Sequence, residues 1–566
     1  MSTHSTQLTR LFADHWQAWM QYDPLFASMC GDHRYDDRLP SVSETGIAAW
    51  RSQLQAFRQH QDAIPRSALS PADQLNYDIF ARLLDVDIDE LGHGYYRIPI
   101  SRTAGFHLSL PDLSMLMSFK NLPDYENYLS RLQAIQTFFA GNIELMRSGL
   151  RTGYLPPLVT LEGIEEGLQP HILDDPTGSV FYAPFKDFPA VIGTNDRERL
   201  ARAAQDAIRT SVIPAYRSLL KFIQDEYRPA ARPGIAASEL PRGREFYQSR
   251  IRYFTSLELT PAQVHATGQS EVARIRAEMQ SVMHKTGFQG EFKDFIEFLR
   301  TDPRFYATTP DELLCVTALV LKRIDGELPR LFKTLPRLPY GIRPIPDFSA
   351  PGNTTAYYMP GAGDGTRAGY YYVNTYDLKS RPFYEIEALS LHEAVPGHHL
   401  QIALQQELTD LPDFRRFSGF TSFVEGWALY SESLGPQLGM YTDPYSKFGQ
   451  LTYEMWRAVR LVIDTGMHEF GWSRQQAIDY FTENAAKTDH DIVVEVDRYI
   501  SDPGQALAYK TGELKIKELK AYAQAELGTK FNIREFHDEV LGQGAIPLSL
   551  LDARIRAWVA ERKTKV

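Results

Sequence analysis

The sequence predicts a mainly α-helical, multi-helix fold carrying one small β-hairpin or sheet. Three observations predict it: recurrent helix-start signals, long amphipathic stretches, and strand signals confined to a single region. An amphipathic stretch over about 5–28 opens the chain. Ser70-Pro71-Ala72-Asp73 reads as a helix start, with Pro at the first helical position, where no amide hydrogen is needed. Amphipathic stretches follow at about 123–148 and 195–226. Thr260-Pro261-Ala262-Gln263 has the capping-box pattern, and Val264, Gly268, Val272, Ile275 and Met279 then recur at helical spacing. Thr309-Pro310-Asp311-Glu312 repeats the device ahead of Leu313, Leu314 and Val316. Further helices are predicted at about 447–466, 473–486 and 511–526. The last helix spans Pro547 to Arg562, with Leu551, Ile555, Trp558 and Val559 on one face.

Strand signals are few. Ala356-Tyr357-Tyr358-Met359 and Tyr370-Tyr371-Tyr372-Val373-Asn374-Thr375 are rich in β-formers, and Gly361 to Thr366 between them is rich in turn residues. This reads as a hairpin, either purely structural or offering an edge to an extended peptide. Pro and Gly cluster at 229–242 and 336–363, which predicts loops or connections between lobes. Disordered tails are expected only for the first few residues and for Lys563 to Val566.

A chain of 566 residues is long enough for several domains, and 43% hydrophobic with 23% charged residues is ordinary for a globular protein. Twelve per cent aromatic residues suggest a large core. A net charge of −11 argues against a nucleic-acid partner, which needs a basic stripe. No run of 18 apolar residues exists, so no membrane span or membrane partner is expected. The two cysteines, Cys30 and Cys315, form no CxxC unit and are read as buried small hydrophobes. The N-terminal segment shows no basic stretch followed by an apolar one. Together these predict a cytoplasmic location. The oligomeric state is left open.

The densest chemistry lies in His392-Glu393-Ala394-Val395-Pro396-Gly397-His398-His399, three imidazoles and a carboxylate in eight residues. Ser380-Arg381-Pro382 starts a helix that carries His392 and Glu393. Pro396, four residues on, lacks the amide that would pair with the His392 carbonyl, and Gly397 permits unusual backbone angles. The helix should bend, bulge or break there. On a straight helix His399 would lie only about 20° from His392 around the axis and roughly 10.5 Å along it, and His398 about 120° away. A Pro-Gly bulge could bring His398 round instead, so either imidazole remains open as a second ligand. Two imidazoles need a third protein ligand to make a catalytic zinc site. Glu425, on an apolar stretch ending before Gly435-Pro436, is the best candidate, and Glu432 shares its face seven residues later.

The stretch resembles the HExxH zinc-peptidase signature lengthened by Pro-Gly. His392 to Gln401, Glu425-Gly426-Trp427-Ala428, Arg498-Tyr499 and Pro503-Gly504-Gln505-Ala506 together resemble a bacterial family long labelled a domain of unknown function. Its members look like zinc peptidases of the thermostable carboxypeptidase Taq, angiotensin-converting enzyme and neurolysin type. The resemblance implies a two-lobed fold with a deep cleft, residues 1–350 forming a helical N-terminal lobe and 351–566 the metal-site lobe. It implies Zn2+ held by His392, His398 and Glu425, with Glu393 as general base and Glu432 orienting a histidine. Tyr499 is implied as the donor to the oxyanion, with Tyr509 in reserve. Peptide bonds, those of short peptides, are the implied substrate.

Around this core, Arg460 and Asp464 read as a buried ion pair with His468 one turn on, and Arg498, Gln505 and Lys510 as possible holders of a substrate carboxylate. Two other functions stay in play: a metal-dependent amidohydrolase acting on a non-peptide amide, and a catalytically silent helical binding protein with a structural metal.

Overall fold

The computed structural model describes residues 2–347, 350, 354–363 and 365–564. The chain divides into two compact units, Met1–Phe246 and Tyr247–Val566. The division thus falls just after the irregular 229–242 segment, about a hundred residues ahead of the boundary expected near 350.

The first unit is helical. Its main helices are α1 (Thr3–Tyr22), α2 (Glu44–Asp62), α3 (Pro71–His93), α4 (Leu122–Thr152), α5 (Thr194–Ala207) and α6 (Ile213–Phe222). The stretch read as one helix over 5–28 breaks at Asp23, whose carboxylate accepts from the amides of Leu25 and Phe26 and starts a new helix at Pro24. Ser70 caps α3 through the Asp73 amide as its sequence predicts. Leu132, Ile135, Met146, Leu161, Leu200, Val212 and Leu219 are among the buried side chains of one continuous core.

The second unit holds the motif. Its helices include α7 (Pro261–Lys285), where the Thr260–Gln263 capping box is formed, and α8 (Pro310–Glu327), capped by Thr309. A three-stranded sheet follows: β1 (Tyr340–Pro344), β2 (Ala356–Met359) and β3 (Gly369–Val373), in the order β1-β3-β2. The predicted hairpin is β2 antiparallel to β3, with Ala356 opposite Val373. β1, parallel to β3, lies inside a stretch read as loop; its Gly341 and Pro344 are poor strand formers, tolerated because β1 is an edge. Then come α9 (Phe383–Glu393), α10 (His398–Gln406), α11 (Thr421–Glu432), α12 (Pro444–His468), α13 (Arg474–Asn484), α14 (Asp489–Ser501), α15 (Ala508–Leu527) and α16 (Leu548–Thr564).

α12 is buried from Phe448 to His468 and is the central helix of this unit, with α7, α9 and α13 packed on it. α11 lies close along α15 because two glycines meet there: a Cβ on Gly426 would overlap the backbone of Gly512, and one on Gly512 would overlap the Ser422 carbonyl. Both cysteines depart from expectation, Cys30 being half-buried and Cys315 exposed on the outer face of α8. Asp364 of the hairpin connection, residues 348, 349 and 351–353 of the 336–363 loop, and Met1, Lys565 and Val566 of the tails lie outside the described residues. Lys563 belongs to α16 rather than to a tail.

Candidate metal centre

α9 is buried along its length from Tyr384, so His392 and Glu393 enter the interior on the last turn of a helix with no solvent face. The helix stops at Glu393. The Val395–Pro396 peptide is cis, and Gly397 passes so near the end of α9 that a Cβ there would overlap the His392 carbonyl. Trp427 on α11 donates its indole N–H to the Pro396 carbonyl at 2.8 Å, satisfying an acceptor that the break exposes. The His399 amide finds Ala394 O at 3.0 Å, and α10 begins.

The break turns His398 back toward His392, with ring centroids 4.8 Å apart and planes at 87°. α11 supplies Glu425, whose Oε2 lies 3.6 Å from His392 Nε2 and 3.5 Å from His398 Nε2. The three residues offer atoms that all lie within 4.8 Å of one another, a spacing that could hold a metal ion. His399 goes elsewhere: its Nδ1 meets the Tyr358 hydroxyl at 2.9 Å, its ring packs 4.8 Å from that of Tyr340, and burial lowers its pKa to about 4. Straight-helix geometry, which favoured His399, does not apply across this break.

Two observations test whether the residues suit a cation. Glu425 Oε2 is buried yet makes no hydrogen bond among the described residues, and His398 Nδ1 is likewise unpartnered. A buried carboxylate oxygen without a donor is costly unless a positive charge sits against it. The proton affinities point the same way. Burial works to lower the His392 pKa, but Glu425 and Glu432 outweigh it and raise it to about 9. Burial works to raise the Glu425 pKa, yet the two imidazoles hold it well below the usual carboxylate range. The carboxylates that favour a proton on His392 also favour a cation there, and two nitrogens with one oxygen suit zinc.

Glu432, one heptad past Glu425, accepts from or pairs with His392 Nδ1 at 2.8 Å and so fixes which nitrogen of that ring faces Glu425. Glu393 is buried beside the cluster. Burial pushes its carboxyl pKa up, with His392 and His398 pulling against the rise. All four of His392, Glu393, His398 and Glu425 line a cavity of about 240 Å³ that is also walled by Tyr358, Tyr453, Trp456 and Tyr509 and by three arginines, Arg457, Arg460 and Arg498.

Tyr499 does not line that cavity. Its hydroxyl donates to Glu495 Oε2 at 2.6 Å and accepts from Arg460 Nε at 2.6 Å and Trp456 Nε1 at 2.9 Å. With its single proton committed to a carboxylate, it is placed as a brace. Tyr509, the reserve, does line the cavity; its oxygen accepts from Arg498 at 3.4 Å and Gln505 at 3.3 Å. The expected Arg460–Asp464 pair is also replaced. Arg460 pairs with Glu495 at 3.0 Å, while Asp464 accepts from the Tyr247 hydroxyl at 2.6 Å. Glu495 was not singled out in the sequence, although its i+3 and i+4 neighbours are Arg498 and Tyr499. Lys510 is buried among Glu271, Glu454 and Glu513 at 2.9, 2.8 and 2.6 Å, so its charge is already answered within the fold.

Fold and site together define a mainly helical protein with a buried nitrogen–nitrogen–oxygen cluster at a helix break. The chain belongs to the family of bacterial proteins of unknown function DUF885, which it matches over residues 24–555. It is similar to a candidate lipoprotein from Colwellia psychrerythraea at 28% identity and TM-score 0.93, over 99% of this chain and 100% of that one. It is similar in fold to a candidate lipoprotein of unknown function from Shewanella oneidensis at 17% identity and TM-score 0.67, over 98% and 99% of the two chains. A candidate oligoendopeptidase F from Bacillus anthracis aligns over 90% and 97% of the chains at 10% identity and TM-score 0.31, too remote to carry an argument. No curated protein matches the chain.

The relative at 28% identity, described as a lipoprotein, overturns the cytoplasmic location expected from the sequence. Two cysteines outside any disulfide were weak grounds for a reducing compartment, because a large core needs no disulfides on either side of a membrane. Among the described residues no helix is long and apolar enough to cross a membrane.

Proposed function

We propose that this protein is a zinc-dependent peptidase acting on short peptides, with His392, His398 and Glu425 holding the ion. The observation that carries the reading is the convergence of those three donors, one of them an unpartnered buried carboxylate oxygen, beside the carboxyl of Glu393. Bound Zn2+ would supply a Lewis acid for the scissile carbonyl and would make water acidic enough to deprotonate near neutral pH.

The rest is the work of the chain. Glu432 locks the tautomer of His392. Glu393, its pKa raised by burial, is suited to take a proton from the attacking water and return it to the leaving nitrogen. Tyr509 takes the part first assigned to Tyr499: among the described residues its oxygen only accepts, from Arg498 and Gln505, so its own proton is available to a developing oxyanion in the cavity. A cavity of about 240 Å³ encloses only a small part of a substrate around the scissile bond.

The test compares the zinc-loaded protein with Glu393→Gln on a panel of short peptides and small non-peptide amides, following products by mass spectrometry. The parent should cleave peptides, and the variant should keep its zinc while losing nearly all turnover. Cleavage of the amides alone would favour the amidohydrolase reading. An unchanged rate in Glu393→Gln would remove that residue as the base.

A further inference from the structure

Arg457 and Arg460 stand three residues apart on α12, and both line the metal-site cavity. Side chains at that spacing are neighbours on one face of a helix, where like charges repel. Both guanidiniums are buried, 4% and 2% exposed, which makes the juxtaposition more costly still. Each retains an N–H group without a hydrogen-bond partner among the described residues, Nε of Arg457 and Nη1 of Arg460. The nearest carboxylate to Arg457 is Glu432 at 3.9 Å, and that group is already engaged by His392. Arg460 shares Glu495 with Arg498, at 3.0 and 3.6 Å.

The charges around the cavity lead to the same place. Glu393 and Glu425 line it beside Arg457, Arg460 and Arg498; Glu432 and Glu495, outside its lining, lie 3.9 Å from Arg457 and 3.0 Å from Arg460, and Lys487 and Glu385 pair at 2.7 Å. Four carboxylates against three guanidiniums leave the site one charge positive once a dication is bound, and a single anion completes it. A planar fork of N–H groups is the side-chain geometry best matched to a carboxylate.

We propose that Arg457 and Arg460 hold a carboxylate of the substrate beside the scissile bond, supplied by a free chain end or an acidic side chain. The proposal rests on the peptidase reading for the nature of the substrate, but the anion site itself needs no turnover. Substrates lacking a carboxylate within reach leave a buried N–H group of each guanidinium unanswered and bind poorly.

Equilibrium binding to the zinc-loaded Glu393→Gln protein, which holds ligand without consuming it, provides the test. Calorimetry would compare acetyl-Ala-Phe with its C-terminal amide and with acetyl-Asp-Phe amide. The acid should bind at least tenfold tighter than the plain amide. Recovery of affinity by the Asp-containing amide would assign the carboxylate to a side chain, and failure to recover would assign it to the chain end. The preference should vanish in Arg457→Gln and Arg460→Gln, each checked by thermal melting; should either fail to fold, the acid–amide comparison on the parent site decides alone. Equal affinity for all three ligands would overturn the proposal even if peptides were cleaved. A retained acid preference with no peptide cleaved by the parent protein would sink the peptidase reading and leave the carboxylate site standing.

Discussion

Tyr499 and Tyr509 show how differently two hydroxyls near one site can be placed. Tyr499 gives its proton to Glu495 and receives from Arg460 and Trp456, a closed set that ties α12 to α14. Tyr509 receives from Arg498 and Gln505 and retains a proton to give. Tyr509→Phe should therefore lower kcat by about 10²–10³-fold with little change in stability, as losses of oxyanion donors do. Tyr499→Phe should leave kcat much nearer the parent value and cost about 1–3 kcal/mol of stability by stranding buried partners. Steady-state kinetics and chemical denaturation of the two variants check this, and the reverse pattern would restore Tyr499 to the chemistry. Sequence resemblance pointed at Tyr499 because an Arg-Tyr pair is visible in a string of letters. Which proton is free is decided by Glu495, and that is a tertiary fact.

The helix break between α9 and α10 was legible in advance, since Pro396 and Gly397 forbid an uninterrupted helix. Which imidazole it would deliver was not legible, because the answer depends on the backbone path through Ala394–Gly397 and on the Trp427 contact that anchors it. Glu425 and Glu432 could be read from their heptad spacing, as a face of one helix needs only periodicity. β1 could not, because Gly341 and Pro344 mask a strand that exists only through its pairing with β3. The contact of α11 with α15 was equally hidden: Gly426 was part of a motif, but nothing in the letters paired it with Gly512. Gly512→Ala should force the two helices apart and cost about 1–3 kcal/mol, read as a fall in Tm, with a loosened hold on Glu425 read as weaker zinc binding. A variant with unchanged Tm and zinc affinity would show that the close approach is not needed.

The central helix α12 also sets how the second unit as a whole responds to pH. Burial pushes the Asp464 carboxyl up to about 7, with the Tyr247 hydroxyl and the Gly504 amide pulling the other way. The folded protein therefore keeps a proton that the unfolded chain has released. The stability this confers is complete below the ordinary carboxyl pKa of about 3.9 and is lost as pH rises through about 7. Asp464→Asn should melt with a flatter dependence on pH between about 4 and 7 than the parent; parallel curves would refute the assignment. Peptidase chemistry of the proposed kind requires one cation held between α9, α10 and α11. Anomalous diffraction at the zinc edge, from crystals of zinc-loaded protein, addresses it directly. One strong peak is expected about 2.0–2.2 Å from His392 Nε2, His398 Nε2 and a Glu425 oxygen. A zinc-saturated crystal with no peak among those three atoms would contradict it.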